Sequence, residues 1–362
     1  MIQYRRLVFA GACIALLFAV SPAWATTGNQ EGVDVPAEVR VTSPNSAQTS
    51  SVAISPVDTQ KLVTATQGPG DGPRMHYSHD GGSTWTQVDL PVGSEQWGAT
   101  VEWSSDGQFA YTAAVDGCGE GCRIFFYRSD DDGVTWTGLE TETPGDPRRL
   151  IAYGTSGDGY LHVDQYATSP HKDNIYMMYS HWLGVMHLAR SKNFGDKWLD
   201  KSFSSAPLGS RGDVTTDRAG NVYYAWPGTD TLGVYVSKST NGGASFGEVV
   251  NVGSRNAYGA FRIPALPYDG VPNQLFADTD TSNGPYADSV YLVWTDSTGP
   301  ESVVPAENHG RIQVAYSRDG GTTWTSLGME GFHVVAFAPS RNVGWAAGSD
   351  GRIAKIHGET LQ

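Results

Sequence analysis

Side chains with oxygen atoms are concentrated in residues 278–284 (DTDTSNG), with Asp288 shortly after them. Asp278, Asp280 and Asp288 could supply the carboxylate oxygens that calcium prefers. The glycine of this stretch comes one place later than in an EF-hand loop, and an acidic turn would explain the same residues. We therefore expect no required cofactor and keep calcium as an open alternative for these three aspartates.

A second candidate for chemistry is Arg262, in the segment Phe261-Arg262-Ile263-Pro264. The planar guanidinium can hold a carboxylate through two parallel hydrogen bonds, although an ion pair within the fold is an equal alternative. The segment belongs to residues 257–273, which carry no clear strand pattern, and residues 296–309 form a second such stretch. Long connections of this kind are often functional.

The first 25 residues have the features of a secretion signal. Arg5 and Arg6 precede an apolar run over residues 7–20, and Ala23-Trp24-Ala25 is a small-x-small cleavage site. The run is short for a membrane span. We expect a secreted or periplasmic protein that begins near Thr26, with a flexible leader over residues 26–35 and no membrane span after cleavage.

In an oxidising compartment, Cys118 and Cys122 are expected to form a local disulfide, because they lie close together in Cys-Gly-Glu-Gly-Cys. The full chain carries 24 basic and 38 acidic residues, a formal net charge of −14. Such a charge opposes binding to nucleic acid through a general electrostatic field. A low fraction of charged residues, 17%, and 44 glycines are typical of an all-β protein rich in tight turns.

The elements that would position these residues are organised by a repeated octapeptide, Ser-x-Asp-x-Gly-x-Thr-Trp. It occurs at residues 78–85, 129–136 and 317–324, and in weaker form, with Asn for Asp, at 191–198 and 239–246. The Asp or Asn can accept backbone hydrogen bonds within a tight turn, the Gly suits a positive φ, and the aromatic side chain can anchor the next strand. The residues assigned this structural role are Ser78, Asp80, Gly82, Trp85, Ser129, Asp131, Gly133, Trp136, Ser317, Asp319, Gly321 and Trp324.

Apolar strands precede the octapeptides, so each octapeptide is predicted to be a hairpin turn between antiparallel strands. Recurrence roughly every 50 to 80 residues indicates a propeller or solenoid of four-stranded units. Residues 137–139 are expected to end the second unit and residues 161–165 to begin the third. The last unit, residues 333–356, is one strand short, and residues 38–42 (EVRVT) could complete it. We therefore predict an all-β, six-bladed β-propeller over residues 36–362, closed by the N-terminal strand.

These octapeptides resemble the Asp-box, or bacterial neuraminidase, repeats of the sialidase superfamily, and the resemblance covers nearly the whole mature chain. In that family the boxes lie on the outer rim and are structural. Phe261-Arg262-Ile263-Pro264 resembles the family's first arginine motif, so the resemblance implies that Arg262 binds a substrate carboxylate.

The same resemblance implies a tyrosine nucleophile, for which Tyr258 and Tyr286 are candidates, and an acid/base residue, for which Glu307 is the candidate. Asp296 lies in the segment that matches the family's second arginine motif, and we assign it a contact with the substrate. That second arginine is absent from this chain, and the Phe-Arg-Ile-Pro motif precedes the fifth octapeptide instead of the first.

Three functions remain open from the sequence. The first is an exported exo-α-sialidase that removes terminal sialic acids from glycans. The second is a non-catalytic propeller that binds a glycan or a protein at the cell envelope, which the missing arginine and the acidic charge favour. The third is a hydrolase or lyase of another sugar that uses carboxylates in the central channel. The expected partner is a glycan or glycoconjugate, and the expected state is a monomer.

Overall fold

The computed structural model describes residues 39, 41, 49–67, 73–90, 96–116, 122–138, 149–264, 266–300, 308–327, 332–337, 343–348 and 353–357. These residues form strands and turns but no helix, and so no helix able to cross a membrane. The strands pair antiparallel with their neighbours in chain order. The expectation of an all-β protein is confirmed.

The first half of the chain forms two sheets. A four-stranded sheet contains β1 (Thr49–Ile54), β2 (Leu62–Gln67), β3 (Pro73–Ser78) and β4 (Thr86–Asp89). A seven-stranded sheet contains β5 (Gln96–Trp103), β6 (Ala110–Asp116), β7 (Cys122–Ser129), β8 (Arg149–Val163), β9 (Ile175–His181), β10 (Met186–Ser191) and β11 (Leu199–Ser202).

The second half of the chain continues the pattern. A four-stranded sheet contains β12 (Asp213–Thr216), β13 (Val222–Pro227), β14 (Gly233–Ser239) and β15 (Val249–Ser254), followed by a hairpin of β16 (Phe261–Ile263) and β17 (Leu266–Val271). The next sheet contains β18 (Leu275–Thr279), β19 (Val290–Ser297), β20 (Gly310–Ser317) and β21 (Thr325–Leu327). The last contains β22 (Phe332–Phe337), β23 (Val343–Gly348) and β24 (Ile353–His357).

Strand β8 joins two predicted units into the seven-stranded sheet. Its first part, from Arg149 to Thr155, pairs with β7, and its second part, from Gly159 to Val163, pairs with β9. The second unit therefore takes its outer strand from β8, and the expected strand at residues 137–139 is reduced to a bridge between Arg128 and Thr137. The register shifts between Thr155 and Gly159, where the strand passes from one unit to the next.

The hydrophobic core lies between consecutive sheets. Alternate residues of a strand pack on opposite faces, as the period of two requires. Met177 of β9 packs against the preceding unit, and Met178 against the following one. In β13, Tyr224 packs against the preceding unit and Tyr223 against the following one. Successive sheets are thus stacked face to face in chain order, which is the arrangement of blades in a propeller.

The first strands of successive units, β1, β5, β8, β12 and β18, contact one another in that order. They form the inner edge of the stack, and the octapeptide turns lie at the outer part of each unit. The number of blades and the closure of the ring stay predictions. Of residues 38–42, only Val39 and Val41 are described; neither lies in a strand, and the Val41 backbone lies beside the His76 ring of β3.

The octapeptide turns share one hydrogen-bond pattern, shown here for residues 78–85. Ser78 Oγ donates to Asp80 Oδ1 (2.8 Å) and accepts from the N–H of Gly82 (2.9 Å). Asp80 also accepts from the N–H and the hydroxyl of Thr84, at 2.8 and 2.6 Å. Trp85 Nε1 donates to the carbonyl of Gly82 (3.0 Å). These bonds lower the pKa of Asp80 to about 2, so its carboxylate is ionised at any physiological pH.

The same turns connect neighbouring units. The residue just before an octapeptide is a cation in three units, and it donates to the carbonyl of the fourth residue of the next octapeptide. That fourth residue has a positive φ in all five turns, as does the glycine after it. The contacts are Arg128 Nη1 to Phe194 O (3.0 Å), Arg190 Nη1 to Gly242 O (2.8 Å) and Lys238 Nζ to Gly320 O (2.8 Å).

We expect Gly195→Ala to destabilise the protein by about 2 to 4 kcal/mol, through left-handed strain and overpacking. Gly195 has a φ of +92°, and an added Cβ would lie 2.0 Å from the Phe126 ring. Gly247→Ala is the matched control, because its Cβ would meet only the Lys238 carbonyl at 3.6 Å. The control should stay within about 0.5 kcal/mol of the parent protein. Urea unfolding measures both, and equal stability of the two variants would contradict this account.

Candidate functional site

Arg262 lies in β16 and Tyr258 in the connection that precedes it; residues 257–273, expected to be a connection without strands, contain the β16–β17 hairpin instead. The Arg262 side chain is exposed, and its backbone carbonyl accepts a hydrogen bond from Asn308 Nδ2 (3.1 Å). Tyr258 is 46% exposed. Arg262 is therefore accessible to a ligand. Glu307, the predicted acid/base residue, lies outside the described residues.

Asp296 has no exposed surface and is bound within the fold. Its Oδ2 accepts from Arg311 Nη2 (2.7 Å) and Gln313 Nε2 (3.2 Å), and its Oδ1 accepts from the N–H of Asn256 (2.8 Å). A carboxylate buried with an arginine is stable only while it keeps those partners. Asp296 thus fastens the start of the 257–273 region to β19 and β20, which gives it a positioning role in this structure.

The three aspartates assigned to calcium occupy different surroundings. Asp288 forms an ion pair with Arg218 (2.6 Å), which lowers its pKa. Asp278 belongs to β18, whereas Asp280 lies in the turn after it and accepts the N–H of Ser282 at 2.8 Å. Among the described residues, no group of three or more His, Cys, Asp or Glu is arranged to hold a metal ion. Calcium binding stays a prediction.

Cys122 is disulfide-bonded at the start of β7, and its predicted partner Cys118 lies outside the described residues. Tyr286, the second candidate nucleophile, lies under the guanidinium of Arg318, 4.5 Å from its ring centroid, in the turn that precedes β19. That position is distant in sequence and in strand order from Tyr258. The structure therefore does not bring the two tyrosine candidates together.

A group of carboxylates not predicted as a set lies on the inner strands. Glu102 is on β5, Asp213 begins β12 and Asp278 is on β18. Tyr160 of β8 and Phe276 of β18 also face each other, with ring centroids 6.3 Å apart, although β12 lies between their strands in order. We call the side of the stack that these inner strands line the central cavity.

Burial, and then the charges of neighbouring carboxylates, raise the pKa values of these three groups. Burial, with the charges of Asp213 and Asp278, raises the pKa of Glu102 to about 8. Burial, with the charge of Asp278, raises the pKa of Asp213 to about 7, against hydrogen bonds from the N–H groups of Ala277 and Val214. Burial also raises the pKa of Asp278, although its side chain remains accessible to water within the cavity. At neutral pH Glu102 therefore retains its proton.

The cavity wall combines apolar and hydrogen-bonding side chains. Phe276 is 41% exposed and faces Tyr160. Tyr160 accepts a hydrogen bond from Gln274, and His162 Nε2 lies 2.8 Å from Thr216 Oγ1. Burial lowers the pKa of His162 to about 4, so this imidazole is neutral at pH 7. A partly apolar cavity with converging titratable groups of perturbed pKa is the general form of an active site.

Sequence reasoning missed Glu102 and treated Asp213 only as the start of a strand. A signal was present, since an acidic residue occurs within the first strand of the second, fourth and fifth units. A charge inside an otherwise apolar inner strand is rare unless it is paired or functional. Chain order alone did not show that these three strands face one space.

No protein-family model and no curated protein matches the chain. Among solved structures, a GH74 enzyme from Niastella koreensis is 20% identical with a TM-score of 0.50, over 90% of this chain and 39% of that one. An α-L-arabinofuranosidase from Fusarium graminearum, solved with an iminosugar inhibitor, is 12% identical with a TM-score of 0.50, over 86% of this chain and 92% of that one.

The NanB sialidase from Streptococcus pneumoniae is 11% identical with a TM-score of 0.48, over 86% of this chain and 65% of that one. Sialidases and other β-propeller glycoside hydrolases are thus among the solved structures that resemble this chain. At these identities the similarity concerns the fold, which is of the β-propeller type. The chain spans less than half the length of the Niastella enzyme.

We expect the protein to lose roughly 1 to 3 kcal/mol of stability between pH 6.5 and 8.5. The raised pKa of Glu102 means that the folded state holds a proton there that the unfolded chain has already released, so stability falls as pH rises towards 8. His162 contributes a smaller change of opposite sign, because at pH 6.5 the unfolded chain still holds part of a proton on this imidazole, whose pKa burial lowers to about 4 in the folded state.

Urea unfolding at the two pH values measures this loss. Glu102→Gln should flatten the dependence, whereas Glu248→Gln, a change at an exposed residue beside β15, should leave it as in the parent protein. An unchanged slope in Glu102→Gln would show that this carboxyl is not protonated in the folded state.

Proposed function

We propose that this protein is a glycoside hydrolase whose reaction centre is the central cavity. The observation that carries the proposal is the set of three coupled carboxylates, Glu102, Asp213 and Asp278, on facing inner strands. Hydrolysis of a glycosidic bond needs one carboxylic acid to protonate the leaving oxygen and one carboxylate to act as base or nucleophile. Glu102, which keeps its proton at neutral pH, is assigned the first part, and Asp278 the second.

Each carboxyl group has a distinct part in this proposal. Glu102, with a pKa raised to about 8, is the general acid, because it remains protonated at pH 7. Asp278 is the ionised partner, since it is the most accessible to water and accepts the N–H of Thr279 at 2.8 Å. Asp213 accepts the N–H groups of Val214 (2.8 Å) and Ala277 (3.0 Å) and keeps the proton on Glu102 by repulsion.

Exo-α-sialidase activity is the more specific form of this proposal. The exposed guanidinium of Arg262 supports it, because a sialoside presents a carboxylate that such a fork can bind. The buried position of Asp296, where a substrate contact was expected, favours instead a neutral sugar or the non-catalytic alternative, a glycan-binding module. Turnover of different glycosides separates these possibilities.

The test is hydrolysis of fluorogenic α-sialosides, α-L-arabinofuranosides and neutral pyranosides, and of the corresponding oligosaccharides. We expect turnover of at least one class, with kcat lowered about 100-fold or more in Glu102→Gln and in Asp278→Asn. Glu248→Gln is the control and should keep full activity. Arg262→Ala should raise KM for sialosides and leave neutral substrates unaffected.

Two outcomes would contradict the hydrolase. Equal kcat in the parent protein and the two cavity variants would remove the carboxylates from the reaction. Binding of glycans without turnover of any of them would make the protein a binding module. Thermal unfolding of each variant at pH 6.5 shows whether a loss of activity reflects a loss of fold.

A further inference from the structure

The hairpin between β9 and β10 presents large apolar side chains to solvent. Trp182 is 66% exposed and Leu183 is 57% exposed, the former being the most exposed aromatic residue among those described. An indole ring in water has a cost unless something covers it. A flat aromatic surface with an N–H at its edge suits a ligand that has both apolar faces and hydroxyl groups.

This hairpin is held in a fixed conformation. The N–H of Trp182 donates to the carbonyl of Gly154 (3.0 Å), and the N–H of Gly184 donates to the carbonyl of His181 (2.7 Å). Gly154 has a φ of +74°, and a Cβ there would lie 3.0 Å from His181 Nε2 and 3.9 Å from Trp182 Cδ1. The missing side chain makes room for the hairpin, so the backbone that carries the indole has a defined position.

Backbone contacts connect the hairpin to the turns of the next units. The carbonyl of Gly184 accepts from the N–H of Gly209 (2.7 Å), and the carbonyl of Leu208 accepts from the N–H of Thr229 (2.8 Å). The guanidinium of Arg255 then spans the next interval, donating to the carbonyl of Gly228 and to that of Tyr258 (3.4 Å). Trp182, the exposed Thr229 and Asp230, Tyr258 and Arg262 therefore follow one another along one end of the stacked sheets.

At this end of the stacked sheets, the backbone leads from the exposed hairpins to the inner strand β12. The segment after Gly209 passes beside the β13–β14 hairpin, where the N–H of Ser210 donates to the carbonyl of Pro227 (3.4 Å). The segment then enters β12 at Asp213, and the carbonyl of Arg211 accepts the N–H of Leu275 at 3.3 Å. Gly209, which contacts the hairpin that carries Trp182, is thus four residues of backbone from Asp213.

We propose that this row, Trp182 to Arg262, binds an extended oligosaccharide, with pyranose rings stacked on Trp182 and Tyr258. The substrate is then a glycan chain of several sugars, since the two aromatic residues lie on either side of the fourth unit and stacked sheets are roughly 10 Å apart. The inference rests on the proposed hydrolase for the reacting end of the chain, but the stacking surface can be tested apart from catalysis.

The test is binding measured by calorimetry, with Glu102→Gln as the parent so that substrates survive. The probes are cellohexaose, chitohexaose and an α-2,8-linked sialic acid hexamer, each against its own monosaccharide. We expect at least one hexamer to bind at least tenfold more tightly than its monosaccharide. Adding Trp182→Ala should remove about tenfold of that affinity and leave the monosaccharide unaffected, whereas Trp182→Phe should restore most of it.

Leu199→Ala is the control, because Leu199 is 59% exposed on β11, away from the row. Equal affinity for hexamer and monosaccharide, no binding of any hexamer, or no effect of Trp182→Ala would overturn the extended surface. Length-dependent binding that Trp182→Ala weakens, in a protein without turnover, would keep the surface and overturn the hydrolase. Hydrolysis of a hexamer at a rate unchanged by Trp182→Ala would keep the hydrolase and overturn the extended surface.

Discussion

The structure depends on the way a serine and an acidic or amide side chain close each octapeptide turn. In every copy the serine hydroxyl accepts the N–H of the conformationally free glycine, as Ser129 does for Gly133 at 2.8 Å. The turn then holds its fourth and fifth residues at positive φ, and the carbonyl of the fourth residue is exposed to the preceding unit. A cation of the preceding unit binds that carbonyl in three of the units. The hydrogen bonds of these turns therefore fix the spacing between sheets. That spacing fixes the relative positions of the inner strands.

The stability of the turns and of the core between sheets allows the inner strands to carry buried carboxylates, which destabilise the fold. Burial raises the pKa values of three carboxyl groups on the inner strands, the charges of Asp213 and Asp278 raise that of Glu102 further, and each buried carboxylate that loses its proton has a desolvation cost. A large apolar core between every pair of sheets, containing residues such as Trp226 and Trp294, offsets that cost. Functional sites commonly store instability that the surrounding fold compensates. The burial of Glu102 and Asp213 without a cationic partner in the described contacts favours a functional role for these carboxylates over a purely structural one.

The sequence predicted the parts of the fold that are fixed by neighbours along the chain. The strands before each turn and the hydrogen bonds of Asp80 follow from local residue types, and they are found as expected. What the sequence did not predict depends on contacts between distant segments. The burial of Asp296 under Arg311, the continuous course of β8, and the meeting of Glu102 with Asp213 and Asp278 all arise from stacking of sheets. Arg262 was expected on an irregular segment and instead lies in β16, a strand that was missed because its pairing with β17 has no clear alternating pattern in the sequence.

Strand β8 has a consequence for how the molecule comes apart. Because one run of backbone is the outer edge of the second unit and the inner edge of the third, the ladder of hydrogen bonds is unbroken from β5 to β11. The two units use different parts of β8, and only Thr155 pairs on both sides, with Cys122 and with His181. We expect opening of one unit to disturb the other through this shared strand, whereas sheets that share no strand can open separately. The second and third units thus form one continuous sheet, and β5, the strand that carries Glu102, is one edge of that sheet.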